Sequence, residues 1–209
     1  MVAVSGIDSE FYPAAWKVGL ALGLSPERAG YDVAKLLFSE SSITPSAQNS
    51  IGCVGINQFC PGSQPAGISP AAYKNLPASQ QLLSYVWPFW ATRVGQHGGI
   101  DRIRDLYWLN YYPATYKRGS PDNAIVNPRV GAGDAVLARG KTYVTAADLD
   151  AFIASRCHGT RWLGILGNLS PYAVPALLGG KNGLVALGIA GAAAGTFWYL
   201  FYRKGARVL

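Results

Sequence analysis

Apolar residues recur at spacings of three and four along four stretches of the chain, a pattern typical of amphipathic helices. The stretches are residues 9–24, 26–39, 78–94 and 100–112. A helix start is expected at Pro26, because Ser25 can cap the first turn, proline suits the first helical position and Glu27 suits the helix dipole. No long run alternates between apolar and polar positions, as a half-buried strand does. The pattern predicts a mainly α fold, with any short hairpin confined to residues 52–73.

A stretch that is both uncharged and strongly apolar lies near the C-terminus. Residues 183–202 carry no charged side chain, and a helix of this length spans a hydrocarbon core of about 30 Å. Aromatic residues gather at its end and are followed by Arg203, Lys204 and Arg207, as at a membrane interface. We therefore expect a globular domain over 1–160, a linker or interfacial segment over 161–182, a single transmembrane helix over 183–202 and a basic tail over 203–209. The alternative is a buried core helix at the end of a soluble domain.

The basic character of the chain is concentrated in the same C-terminal part. Residues 1–160 carry 13 Lys and Arg against 11 Asp and Glu, whereas residues 161–209 carry 5 basic residues and no acid. Because the globular part has no basic stripe with interleaved aromatics, nucleic acid is not an expected partner. A near-neutral domain with an apolar, basic tail favours a lipid membrane as a partner. The N-terminus shows no secretory signal, and the membrane orientation stays open.

The cysteines and histidines limit the metal chemistry of the chain. Cys53, Cys60 and Cys157 lack the paired spacing of a zinc site, and only His97 and His158 could join them, so no metal site is expected. Cys53 and Cys60 could close a short loop as a disulfide in an oxidising compartment. The alternative is two partly buried free thiols.

Glu40 is the first candidate for acid–base chemistry. In a helix that begins near Pro26, the residues Val33, Leu36, Leu37 and Glu40 fall on one face, so Glu40 ends an apolar stripe. Partial desolvation disfavours the ionised carboxylate and raises its pKa toward neutrality, where the group can act as a general acid. The alternative is a solvated residue at a helix C-terminus.

Glu40 also begins a motif, ESSITPSAQNSIGCVGINQFCP, which runs to Pro61. The segment resembles the signature of lytic transglycosylases of the soluble, goose-type-lysozyme-like family, in which E-S-S-x-x-P-x-A is followed after four residues by G-x-x-G-[LI]-x-Q-[FL]-x-P. The matching positions are Glu40, Ser41, Ser42, Pro45, Ala47, Gly52, Gly55, Ile56, Gln58, Phe59 and Pro61.

Two later segments extend the resemblance to phage-associated members of the family. Residues 105–114, DLYWLNYYPA, look like the tyrosine-containing helix that closes the cleft in such enzymes. Asn127-Pro128, Gly140, Val144-Thr145 and Asp148-Leu149 are similar to the end of phage-borne transglycosylase domains, which continues in a last helix through Ala154. The resemblance covers about residues 8–156 and implies a lysozyme-like helical domain.

The resemblance implies cleavage of peptidoglycan glycan strands with Glu40 as the catalytic residue. Glu40 would protonate the glycosidic oxygen between N-acetylmuramic acid and N-acetylglucosamine, and its carboxylate would then deprotonate the muramoyl 6-hydroxyl to give a 1,6-anhydro product. By the same resemblance, Gln58 binds substrate or orients Glu40, and Tyr111 is the cleft tyrosine, with Tyr107 as its competitor. No cofactor is implied, and the loop 130–139 has too few acids for a calcium site.

Several residues keep both a functional and a structural interpretation. Ser41 and Ser42 could bind sugar or backbone, and Gly52 and Gly55 could let the main chain approach the glycan, or all four could serve turn geometry. Tyr107 and Tyr111 could also belong to the core. Trp87, Trp90 and Trp108 are expected in the core, although a tryptophan can stack on a sugar ring.

The absence of a secretory signal beside a predicted membrane helix suggests a virion protein that opens the cell wall locally during phage entry. Other virion proteins are then further possible partners. Two alternatives remain: a hydrolytic muramidase that uses water, and a non-catalytic structural virion membrane protein with a lysozyme-like fold.

Overall fold

The computed structural model describes residues 4–131 and 135–178, with the side chains of α9 described as far as Tyr172. It is mainly helical, which confirms the predicted mainly α character of the fold. The helices are α1 (Phe11–Ala21), α2 (Ala29–Ser41), α3 (Pro70–Lys74), α4 (Ala78–Gln81), α5 (Trp87–Gln96), α6 (Ile103–Tyr111), α7 (Ala135–Ala138), α8 (Ala146–Arg156) and α9 (Gly159–Leu178). Within the described part of the chain, no helix combines the length and the apolar character that crossing a membrane requires. The predicted transmembrane helix 183–202 and the basic tail lie outside the described residues.

Helices α1 and α2 form the centre of the domain. Their backbones approach so closely that a Cβ atom on Gly19 would lie 2.3 Å from the carbonyl oxygen of Ala29. The predicted apolar stripe of α2 is buried, with Val33, Leu36 and Leu37 fully covered. Regular helix begins later than expected, at Ala29, because residues 26–28 form a turn. The N–H groups of Arg28 and Ala29 both donate to the Ser25 carbonyl. The apolar stripe therefore packs α2 into the core, and the last turn of α2 lies at the edge of the core.

The predicted helix 78–94 is one helical run with an irregular centre. A wide π-type turn, Leu82–Val86, separates α4 from α5. Pro88 explains the irregularity, because a proline inside a helix has no N–H to donate and its ring clashes with the carbonyl four residues earlier. Helix α6 follows, and the carboxylate of Asp105 accepts the backbone N–H groups of Asp101 and Arg102 at its first turn.

The small sheet does not lie where the sequence predicted a hairpin. Strands β1 (Ile125–Asn127) and β2 (Val144–Thr145) pair antiparallel with an irregular register. Within residues 52–73, the described pairing is the isolated bridge between Val54 and Phe59. Confining the hairpin to that region was wrong, because the pairing partners are separated by long intervening sequence that local patterns do not connect. Strand β2 leads directly into α8, whose first turn is closed by the reciprocal capping of Thr145 and Asp148.

The segment expected as a linker continues the globular domain as α9. Three of its apolar side chains, Trp162, Ile165 and Leu169, are buried, and the helix packs against α1 and α2. Pro171 does not end α9, although it cannot donate a hydrogen bond to the Gly167 carbonyl. The hydroxyl of Ser170 donates to that carbonyl at 2.9 Å instead. The globular part therefore extends beyond residue 160.

Candidate active site

Glu40 lies in the last turn of α2, half-buried, directly before a change of backbone direction. The next residues after Ser41 are Ser42 and Ile43, which both adopt left-handed backbone conformations, with φ of 56° and 54°. For Ile43 this conformation is rare, because its branched Cβ crowds the backbone. Such strain persists only where the surroundings enforce it, and it often occurs at functional sites. Ile43 is fully buried, so core packing holds the turn that follows Glu40.

Two side chains of α6 bind the Glu40 carboxyl group. Tyr107 and Asn110 lie three residues apart, on one face of α6, and each forms a hydrogen bond with Glu40. Burial raises the pKa of Glu40 to about 7, while the hydrogen bonds from Asn110 and Tyr107 and the charge of Arg156 act in the opposite direction. Near neutral pH, Glu40 therefore exists in both the protonated and the ionised form. A group in this state can donate a proton and then accept one.

The structure places Tyr107, rather than Tyr111, against Glu40. Tyr107 is buried, and burial together with the Glu40 charge raises its pKa well above the ordinary value, so the phenol keeps its proton and remains a donor. Tyr111 stacks on Tyr107 with ring centroids 6.5 Å apart, and its hydroxyl accepts a hydrogen bond from Asn127 at 2.9 Å. Both residues predicted for the cleft are thus in one cluster, with Tyr107 in direct contact with the acid.

Asn57 and Asn110 form a pair that the sequence did not single out. Their side-chain amides face each other, with N···O distances of 3.3 and 3.4 Å, across 53 residues of sequence. Asn110 thereby links Glu40 to the motif segment that contains Asn57. The position of Asn110 one turn after Tyr107 was a usable signal, because side chains three apart on a helix share a face. The role of Asn57 had no such local signal.

Ser41 and Ser42 serve the backbone around the site. The Ser41 hydroxyl donates to the Ile56 carbonyl at 2.9 Å and accepts from the backbone N–H of Thr44. The Ser42 carbonyl accepts a hydrogen bond from the Arg161 side chain. The Ser41 hydroxyl therefore ties the end of α2 to other segments, as the structural interpretation of Ser41 expects. The contact of Ser42 is made by its main chain, so the predicted role of its hydroxyl stays a prediction.

The loop that follows is held by Gln81, a fully buried amide at the end of α4. Its oxygen accepts from the backbone N–H of Ile56 at 3.0 Å, and its nitrogen donates to the carbonyls of Pro45, Tyr73 and Leu76. A Cβ on Gly55 would lie 2.2 Å from the Tyr73 ring. Internal packing therefore requires a glycine at position 55, and the approach of its main chain to a glycan stays a prediction.

Gln58 and the cysteines complete this loop. Gln58 is half-buried with φ of 51°, and its amide donates to the Gly55 carbonyl at 2.9 Å, within the same turn. Its hydrogen bond thus stabilises the loop and does not reach Glu40. Cys53 and Cys60 form a disulfide across the turn, so the free-thiol alternative does not hold for this pair, whereas Cys157 is a half-buried thiol.

The tryptophans support the core interpretation. Trp90 and Trp108 are fully buried, and Trp87 is half-buried against the core. A separate open groove of about 550 Å³ lies between α5 and the turn after α6. It is lined by Phe89, Thr92, Arg93, Gln96, His97, Pro113 and Ala114. The groove includes none of the predicted site residues, so the chemistry of the site rests on the Glu40 cluster.

Comparison of the chain with models of protein families, with curated proteins and with solved structures gives no match.

Proposed function

We propose that the protein is a peptidoglycan lytic transglycosylase with a lysozyme-like arrangement around Glu40. The observation that carries the proposal is the pKa of about 7 for a carboxyl group at the edge of the core. The hydrogen bonds from Tyr107 and Asn110 favour the ionised form of that group. Glu40 is also the first residue of the motif that resembles the transglycosylase signature, so its chemistry and the sequence resemblance point to the same position.

In the proposed reaction, Glu40 acts twice on one substrate. The protonated carboxyl gives its proton to the glycosidic oxygen, and the bond between the muramoyl C1 and that oxygen breaks. The resulting carboxylate then takes the proton of the muramoyl 6-hydroxyl, whose oxygen bonds to C1 and closes the 1,6-anhydro ring. No water is consumed, and Glu40 ends in its starting protonation state. A pKa near the working pH serves both halves of this cycle.

The surroundings of Glu40 support a single-carboxylate mechanism. Among the described groups that shift the pKa of Glu40 there is no carboxylate. Hydrolytic glycosidases generally use two carboxyl groups, one of which activates water or attacks the sugar. Intramolecular attack by the 6-hydroxyl needs no such second group. Tyr107 and Asn110 would stabilise Glu40 when it becomes ionised after the first step.

The experiment is mass spectrometry of purified peptidoglycan digested by the full chain, beside the variants Glu40→Gln and Glu27→Gln. The second variant is a matched control, because Glu27 is an exposed glutamate outside the site. We expect anhydromuropeptides from the wild type and from Glu27→Gln, and none from Glu40→Gln. Reducing muropeptides would instead establish a hydrolytic muramidase. No product from folded protein would refute catalysis and leave a structural protein.

For location, we propose a single-pass membrane anchor at 183–202 in a phage virion, with the enzyme acting on the host cell wall during entry. The uncharged stretch followed by Arg203, Lys204 and Arg207 supports the anchor. Its test is sedimentation of the full chain with phospholipid vesicles and its detection in purified particles. Release from the vesicles by alkaline carbonate would refute the anchor, and absence from particles would refute the virion location.

A further inference from the structure

Arg161 connects the start of α9 to the backbone beside Glu40. Its Nε donates to the Ser42 carbonyl at 3.1 Å, and its Nη1 donates to the Ser5 carbonyl at 2.7 Å. Arg161 is half-buried, and these two carbonyls are the partners described for its guanidinium group. One side chain thus joins three segments that are far apart in sequence: the N-terminus, the end of α2 and α9.

A hydrogen bond from Arg161 to the Ser42 carbonyl acts at the C-terminal end of α2, directly before the turn that follows Glu40. The last carbonyls of a helix have no partner within the helix, and a cation at this end is favoured by the helix dipole. Ser42 is also the first of the two left-handed residues, so the direction of its carbonyl defines the turn that follows Glu40. If this turn relaxes, both the orientation of Glu40 and its exposure to water change.

The packing of helix α9 fixes the backbone position of Arg161. Trp162, the next residue, is buried and packs against Phe38 of α2 with ring centroids 5.1 Å apart. Further along, the amide of Asn168 donates to the Tyr12 hydroxyl at 3.0 Å, and the indole N–H of Trp16 donates to the Leu169 carbonyl at 3.3 Å. Polar and apolar contacts therefore hold α9 against both central helices, which restricts where the guanidinium can lie.

We propose that Arg161 is a positioning residue for Glu40, and that α9 is a working part of the catalytic domain. The inference rests on the proposed function of Glu40. Arg161 acts through the Ser42 carbonyl and touches neither the carboxyl group nor the reacting atoms. Its contribution is geometric: it keeps the strained turn closed, so that Glu40 stays shielded from water and aligned with Tyr107 and Asn110.

The direct test is the pKa of Glu40, measured by carboxyl-carbon NMR on the full chain in detergent micelles. The chain has only three glutamates, Glu10, Glu27 and Glu40, so selective labelling gives three signals, and Glu40→Gln assigns the relevant one. The charged and polar groups that act on Glu40 are Tyr107 and Asn110 on α6 and Arg156 on α8.

Two arginine variants separate geometry from charge. Arg156→Gln removes a charge that lowers the pKa of Glu40, so this variant should raise that pKa. Arg161→Gln opens the turn and hydrates the carboxyl group, so it should lower the pKa from about 7 to about 6. Arg161→Lys keeps the charge but offers one compact ammonium group for two carbonyls, so it should give an intermediate decrease. Two neutralising substitutions with opposite effects would identify a positioning role.

Activity gives a second readout. Arg161→Gln should lower kcat about tenfold or more with KM nearly unchanged, and its pH profile should move to lower pH, because a small displacement of a catalytic group costs rate more than binding. The inference is overturned if Arg161→Gln leaves the pKa of Glu40 unchanged or raises it. Should Arg161→Gln fail to fold, Arg161→Lys decides alone: an unchanged pKa refutes the inference. Should the wild type cleave no peptidoglycan, the proposed function fails, and the NMR titration still decides whether Arg161 positions Glu40.

Discussion

Replacing Glu40 by Gln is expected to stabilise the protein at alkaline pH, because the native fold holds this carboxyl group at an unfavourable ionisation equilibrium. Below about pH 4.5, Glu40 is protonated in the folded and the unfolded chain, and its ionisation does not affect stability. Between pH 4.5 and 7 the folded chain keeps the proton while the unfolded chain loses it, so the stability of the wild type falls as pH rises. Glutamine does not titrate, so the variant lacks this loss.

The magnitude follows from the two pKa values. A pKa raised from 4.5 to about 7 corresponds, at about 1.4 kcal/mol per pKa unit, to roughly 3 kcal/mol of unfolding free energy above pH 7. In urea, with a slope of about 2–3 kcal/mol per molar, the unfolding midpoint of Glu40→Gln relative to the wild type should rise by about 1 M between pH 4.5 and pH 8. Comparing the two pH values cancels any effect of the substitution on packing.

The assay is urea unfolding followed by circular dichroism at pH 4.5, 6, 7 and 8, with Glu27→Gln as the matched control. Glu27 is exposed, and its hydrogen bond with Ser25 lowers its pKa, so its substitution should give no stability gain as pH rises. A difference between Glu40→Gln and wild type that stays constant from pH 4.5 to 8 would refute the raised pKa. It would also remove the main support for Glu40 as an acid near neutrality.

Three further predictions test the scaffold of the site. Asn110→Ala removes a hydrogen bond that favours ionised Glu40, so carboxyl-carbon NMR should show the pKa of Glu40 above 7. The alkaline limb of the pH–activity profile should move to higher pH in the same variant. An unchanged pKa of Glu40 would refute the contact with Asn110. Gly55→Ala should cost about 2–4 kcal/mol of unfolding free energy, measured in urea, because the new methyl group meets the Tyr73 ring. The control Gly52→Ala has a similar φ but its nearest neighbour at 3.4 Å, so it should cost about 1 kcal/mol. Equal losses for the two variants would assign the effect to backbone strain alone. Trp162→Ala should lower the unfolding free energy by about 3–5 kcal/mol, because Trp162 is buried. The neighbouring Leu163 is exposed, so Leu163→Ala should lower it by less than about 0.5 kcal/mol. Similar losses for both variants would show that α9 is not docked on α1 and α2.

The sequence by itself determined that the fold is mainly α and that Glu40 lies at the end of a buried helix face. Its apolar spacing predicts the helices, because a side chain every 3.6 residues returns to the same face, and Glu40 follows Val33, Leu36 and Leu37 on that face. Apolar spacing predicts the ends of the helices less well than their middles, because it describes only the repeating part of a helix. Turns such as residues 26–28 and the wide turn before Pro88 depend on backbone hydrogen bonds that apolar spacing does not encode.

Only the tertiary structure decided which groups meet Glu40. Tyr107 and Tyr111 are both compatible with the sequence, and the docking of α6 selects Tyr107. Asn57 and Asn110 are 53 residues apart, and Arg161 reaches Ser42 across 119 residues. Periodicity identifies the face that a helix buries, but it does not identify the element that covers that face. Contacts between distant segments arise from packing, so the partners that tune and hold Glu40 were determined by the assembled fold.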